Sequence, residues 1–105
     1  MAVKGWQRAP DPSLLVLTSL AAGPLHGYAL ISDIEAIAGV VLGPGTLYGV
    51  LARLEHDGLV EALPVEDRRR PYRITGAGAA ALRERLLATS AVAAVGLRRL
   101  GVAPA

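Results

Sequence analysis

The sequence predicts a mainly α fold with a small β-hairpin (α+β): three short helices, a hairpin and one long closing helix. Three observations carry this expectation. Apolar residues recur at helical spacing in three stretches, each bounded by Pro or Gly. Leu59 to Leu63 and Tyr72 to Thr75 read as two strands joined by a polar loop from Pro64 to Pro71. Beyond them, an alanine-rich stretch from Gly76 to about Leu100 reads as a single helix that Thr75 can cap.

The first helix starts at Asp11-Pro12, where Asp caps free N–H groups and Pro is tolerated at the first helical position. Leu14, Leu17 and Leu20-Ala21 continue it until Gly23-Pro24. The second helix runs from about His26 to Ala38, with Leu30, Ile34 and Ile37 as its apolar stripe and Gly39 as its stop. Val40-Val41-Leu42 is a short apolar link with the character of a small strand. The third helix opens at Gly43-Pro44 and ends at Gly58; Leu47, Leu51 and Leu54 share one face, with Val50 at its edge. Helix, helix, helix, hairpin, helix is the order of a winged helix-turn-helix domain. The expected division is an N-terminal arm (1–10), the winged domain (11–75), a long dimerisation helix (76–100) and a tail (101–105).

Composition narrows the function. The chain has 105 residues, 52% of them hydrophobic, which excludes disorder and leaves apolar surface to bury against a partner. With no cysteine, disulfides and thiolate metal sites are excluded. No signal-peptide pattern opens the chain, and the apolar run from Leu86 to Leu97 is too short for a bilayer, so a cytoplasmic location and no membrane contact are expected. His26 and His56 lack the companions of a metal set. There is no phosphate loop with Lys-Ser/Thr, no recognisable nucleophile motif and no paired-carboxylate motif, so neither an enzyme nor a cofactor is expected.

The outward face of the third helix is nearly bare. It carries Gly45, Gly49, Ala52, Arg53 and His56, with Thr46 and Tyr48 on its flanks. A glycine inside a helix costs about 1 kcal/mol relative to Ala, a cost consistent with close approach of another surface at Gly49. A slim helix beside a hairpin tipped by Arg68, Arg69 and Arg70, with Arg73 nearby, suits double-stranded DNA: helix in the major groove, arginines on phosphate or in the minor groove. Net charge is only +2, so the argument rests on this local cluster. Arg53 has two roles open to it, a DNA contact or an i+4 pair with Asp57. Tyr48 is either a DNA contact or a half-buried ring between helix and hairpin. Tyr28 reads as a core residue, whereas His26 is either a helix-start residue or a phosphate holder.

The seam of the last helix contains Ala79, Leu82, Leu86, Ala93 and Leu100, with Leu87, Val92, Val95 and Leu97 nearby. Its apolar residues occupy more than one face, so it needs a partner in water. The expected dimer contacts are Leu82, Leu86, Ala93, Leu97 and Leu100.

Leu25-His26-Gly27-Tyr28-Ala29-Leu30-Ile31, Pro44-Gly45-Thr46-Leu47-Tyr48, Arg53-Leu54-Glu55, Asp57-Gly58-Leu59-Val60 and Tyr72-Arg73-Ile74-Thr75 occur in this order. Over roughly Leu14 to Leu82 the chain thereby resembles the PadR family of bacterial winged-helix transcription regulators. The resemblance implies a recognition helix from Pro44, a hairpin that serves as wing, and a final helix that pairs with a partner subunit beside the first helix. It also implies a homodimeric repressor on a pseudo-palindromic operator. The chain departs from the family pattern at Gly43, at Gly49, at Pro71-Tyr72 and at Glu66-Asp67. Some family members bind flat aromatic effectors between subunits; the last helix has no aromatic residue, so a small aromatic effector would have to stack on Trp6 or on tyrosines. The competing expectation is a winged-helix module that binds protein and not DNA, which the wing acids Glu66 and Asp67 and the small net charge favour.

Overall fold

The computed structural model describes residues 10–102; Lys4, Trp6 and Arg8 of the expected arm and the last three residues of the tail lie outside them. The elements are α1 (Pro12–Leu20), β1 (Leu25–His26), α2 (Gly27–Ala38), α3 (Pro44–His56), β2 (Val60–Ala62), β3 (Pro71–Ile74) and α4 (Gly76–Arg99). Local chemistry sets the helix ends. Asp11 accepts the Ser13 N–H at 3.1 Å, with Pro12 in the first turn of α1. Gly39 stops α2 in the left-handed conformation at φ 67°. Thr75 caps α4 through the Gly78 N–H at 3.0 Å while its hydroxyl donates to the Gly58 carbonyl at 2.7 Å, tying the two ends of the wing together.

Helices α1, α2 and α3 bury Val16, Leu20, Leu30, Ile34, Leu47 and Leu51 as a common core, joined by Val60 from β2 and Leu82 from α4. Ser19, itself buried, donates to Asp33 at 2.5 Å and fixes α1 against α2. The sheet is antiparallel in the order β1-β3-β2. Leu25 and His26 face Tyr72 and Pro71, while Val60, Glu61 and Ala62 face Ile74, Arg73 and Tyr72.

Several sequence expectations are corrected. Val40 to Leu42 form no strand; Leu42 plugs the core from a loop, and the extra strand is Leu25–His26, held by the wing strand β3. Tyr28, read as core, is 76% exposed, in the first turn of α2 where that helix lines an open cleft beside the wing. Ile37, read as part of the α2 stripe, is also exposed. Leu82, read as a dimer contact, belongs to the core of its own protomer at 6% exposure. After Leu82 no residue of α4 is buried, and Leu87, Val92 and Leu100 stand open in the single chain. The molecule is accordingly elongated, 51 Å along its longest axis. No helix among the described residues is long and apolar enough to cross a membrane.

Candidate nucleic-acid interface

Helix α3 packs inward through Leu47, Val50, Leu51 and Leu54, which leaves Gly45, Thr46, Tyr48, Gly49 and Arg53 exposed. The space where side chains would stand at Gly43, Gly45 and Gly49 is open, with nothing within 4 Å. The outer surface of α3 is therefore slim along its first two turns. Gly43 starts the helix without a side-chain cap, so amides of that first turn are free of a hydroxyl competitor. Arg53 is exposed and forms no ion pair with Asp57 among the described residues, where the two ion pairs are Arg73–Glu61 and Arg85–Asp11.

The wing is tighter than its sequence suggests. Glu66 and Arg69 exchange both backbone hydrogen bonds, at 2.7 and 2.8 Å, around the two residues Asp67 and Arg68. Both of those have positive φ, 48° and 65°. This is the two-residue turn whose twist matches a right-handed hairpin; Asn-Gly or Asp-Gly normally fill it, so Arg68 occupies a position that disfavours a Cβ. The absence of Gly or Asn at 68 is why sequence inspection reads a loop here.

The turn sends its arginines in different directions. Arg68 is exposed at the tip. The Arg69 guanidinium lies 3.3 Å from Nε2 of His26. Arg70 donates to the Leu63 carbonyl at 2.9 Å, bracing the wing stem. Arg73, expected with the DNA-facing cluster, is instead paired with Glu61 across β2 and β3, on the wing body. An open cleft of about 570 Å³ lies between the wing arginines, the start of α2 and Tyr48 of α3. Tyr28 and Tyr48 supply phenols to it, and Asp67 is the acid on its rim. His26 is thus brought into the cleft by the β1–β3 pairing, and Tyr28 by its exposure. Neither position follows from periodicity; the His-Gly-Tyr run that opens α2 was the available signal.

Tyr72, behind this surface, packs against the core; burial first and the Glu55 carboxylate second push its phenol up and keep it neutral. Asp11, the cap of α1, bridges that helix to α4 through Arg85. Its carboxyl is held below the usual carboxylate range by the Ser13 N–H first and by the Arg85 hydrogen bond next; partial burial opposes them weakly, and the charges of Arg85 and Arg53 add a smaller downward pull.

The sequence model of the Transcriptional regulator PadR-like family matches residues 16–84, from the middle of α1 into α4. The chain belongs to the PadR family. It is a PadR-family transcriptional regulator, and its four helices and three-stranded sheet are the winged-helix fold of that family. The transcriptional regulator Rv3488 of Mycobacterium tuberculosis is 45% identical over 74 residues, which is 68% of either chain. An uncharacterized 37.1 kDa protein in transposon TN4556 of Streptomyces fradiae is 54% identical over 71 residues, covering 68% of this chain. The matched segment spans only 21% of that relative's length. Among solved structures, a PadR family transcriptional regulator from Eggerthella lenta superposes with a TM-score of 0.68 at 33% identity, over 84% of this chain and 79% of its own.

Proposed function

We propose that this PadR-family regulator binds double-stranded DNA as a two-fold homodimer and represses transcription by occupying a pseudo-palindromic operator. The observation that carries the reading is the slim, outward face of α3 beside the arginine-tipped wing. Thr46, Tyr48 and Arg53 are the side chains of α3 that would meet the major groove, with Gly45 and Gly49 permitting close approach. Arg68, Arg69 and Arg70 would engage phosphate or the adjoining minor groove, with Arg68 at the tip reaching farthest. Arg73 would join them from the wing body on releasing Glu61, its partner in the free protein.

The exposed leucines and valines of α4 support the homodimer, since a helix with apolar residues on several faces needs a partner surface. Leu86, Ala93, Leu97 and Leu100 remain the seam. Leu82 contributes by shaping the protomer beneath it. Two recognition helices would then enter successive major grooves about 34 Å apart. A groove of about 400 Å³, lined by Ala21, Ile74, Ala79, Leu82, Leu86 and Leu87 with Arg83, lies on this face. Closed by a second subunit, it is the place for an effector that changes dimer spacing. Its lining is aliphatic, so an aromatic effector would stack on no ring of this face.

The deciding experiment is titration into the protein's own promoter region at several salt concentrations, with random duplex as control. Tight, salt-steep binding with preference for one inverted repeat is the expected result. Replacing Arg68, Arg69 and Arg70 by Ala should weaken binding across sequences and flatten the salt slope. Equal, weak binding to both duplexes would favour the winged-helix protein-interaction module, a reading to which Glu66 and Asp67 and the internal engagement of Arg69 and Arg70 lend support.

A further inference from the structure

His26 stands where three elements meet. Its backbone pairs with Pro71 of the wing strand β3. Its Nδ1 faces the Ala29 N–H in the first turn of α2 at 3.4 Å. Its Nε2 faces the Arg69 guanidinium at 3.3 Å. Both neighbours can only donate. A neutral imidazole has one acceptor nitrogen, and a protonated ring has none. The α2 start and the wing arginine therefore compete for one lone pair.

We propose that His26 is a positioning residue that couples wing occupancy to the first turn of α2. In the unliganded protein the lone pair goes to Arg69, because a charge-assisted hydrogen bond is roughly twice as strong as a neutral one. The ring then carries its proton on Nδ1, and the part-buried Ala29 N–H is left without its acceptor. When a DNA phosphate takes the Arg69 guanidinium, the ring loses the Nδ1 proton to solvent and gains another from solvent at Nε2. It stays neutral throughout, and Nδ1 becomes free to cap α2. Engagement at the wing thereby orders the helix that leads into the recognition helix. The identity of the occupant rests on the DNA-binding reading; the competition for the lone pair does not.

Glu66, Asp67, Arg68 and Arg70 of the wing, Tyr28 of α2 and Tyr48 of α3 line the open pockets beside the ring.

The test is long-range 1H–15N correlation of the imidazoles in the full chain at mildly alkaline pH, with His56, the exposed histidine of α3, as internal reference. The wild-type protein should show the proton of His26 on Nδ1. Arg69→Ala, which removes only an exposed guanidinium, should move it to Nε2 and slow Ala29 amide exchange about fivefold, the equivalent of one neutral hydrogen bond. His26→Asn, whose short amide can cap α2 without reaching Arg69, should give the slow exchange whether or not Arg69 is present. A wild-type ring already protonated on Nε2, or a tautomer unchanged by Arg69→Ala, would overturn the proposal. Added operator duplex should move the wild-type ring in the same direction as Arg69→Ala, and bound duplex that leaves the tautomer in place would also overturn it. If no duplex binds, the DNA-binding reading fails, and the Arg69→Ala comparison still decides the role of His26.

Discussion

The phenol of Tyr48 on α3 lies over the Cα of Gly27 on α2, so that a Cβ at Gly27 would fall 2.9 Å from the phenol carbon Cζ. Gly27 is itself buried, whereas Tyr48 is half exposed, its ring resting on α2 and its edge facing the cleft. Gly27→Ala must therefore push the ring outward. The expected cost is about 1–3 kcal/mol of stability, the usual range for overpacking, read by denaturant unfolding. Binding to duplex should fall with it. Unchanged binding in a folded Gly27→Ala protein would show that the seat of Tyr48 does not matter to the interface.

Gly49 should behave oppositely in its two readouts. Open space surrounds it, so Gly49→Ala removes unfolded-chain freedom at no steric cost and should stabilise the free protein by about 0.5–1 kcal/mol. If the α3 face approaches DNA closely, the same methyl should weaken duplex binding. A variant that is both more stable and equally tight would refute the close approach.

At the first turn of α4, Gly78 meets backbone, not a movable side chain. A Cβ there would collide with the Leu59 carbonyl and lie 2.9 Å from Ile74 Cγ1, while two residues earlier Gly76 is in open space. Gly78→Ala should destabilise the domain by more than 1 kcal/mol, whereas Gly76→Ala should be tolerated. Paired thermal melts of the two variants check this.

Leu82 and Leu86 should separate folding from assembly. Leu82 fills the protomer core, so Leu82→Ala should cost about 2–5 kcal/mol of stability. Leu86 is 42% exposed in the single chain, so Leu86→Asp should leave the domain folded and shift sedimentation toward monomer. A Leu86→Asp protein that still sediments as a dimer would place the seam elsewhere.

The Asp11 carboxylate makes acid stability testable. Its folded pKa lies below the ordinary value of 3.8, so its stabilising contribution is present above that value and is lost as pH falls through the lower folded value. Asp11→Asn keeps a capping side chain but removes the ionisation. The wild-type melting temperature should fall more steeply than that of Asp11→Asn below about pH 4, by a small amount because the Arg85 pair is solvent-screened. Parallel acid limbs would assign the bridge no role.

The sequence by itself determined the helices, because their signals are local. Asp11-Pro12, Gly39, Gly43-Pro44 and Thr75 act on amides and carbonyls within a turn of themselves, and Leu47, Leu51 and Leu54 share a face through helical geometry alone. The slim face of α3 was legible for the same reason, as was the presence of an arginine-bearing hairpin. Tertiary structure decided what those residues touch. Leu25–His26 becomes a strand only because β3, more than forty residues later, offers it a free edge, and two residues carry no readable alternation. That pairing then sets His26 beside Arg69. Leu82 and Leu86 are both apolar and both on α4, yet one lies over the core and the other beyond its rim. The tight turn at Asp67-Arg68 likewise depends on strand pairing, which holds Arg68 at a positive φ that its own side chain disfavours. In each case the deciding free energy comes from contacts between distant segments, and no local pattern encodes which segments will meet.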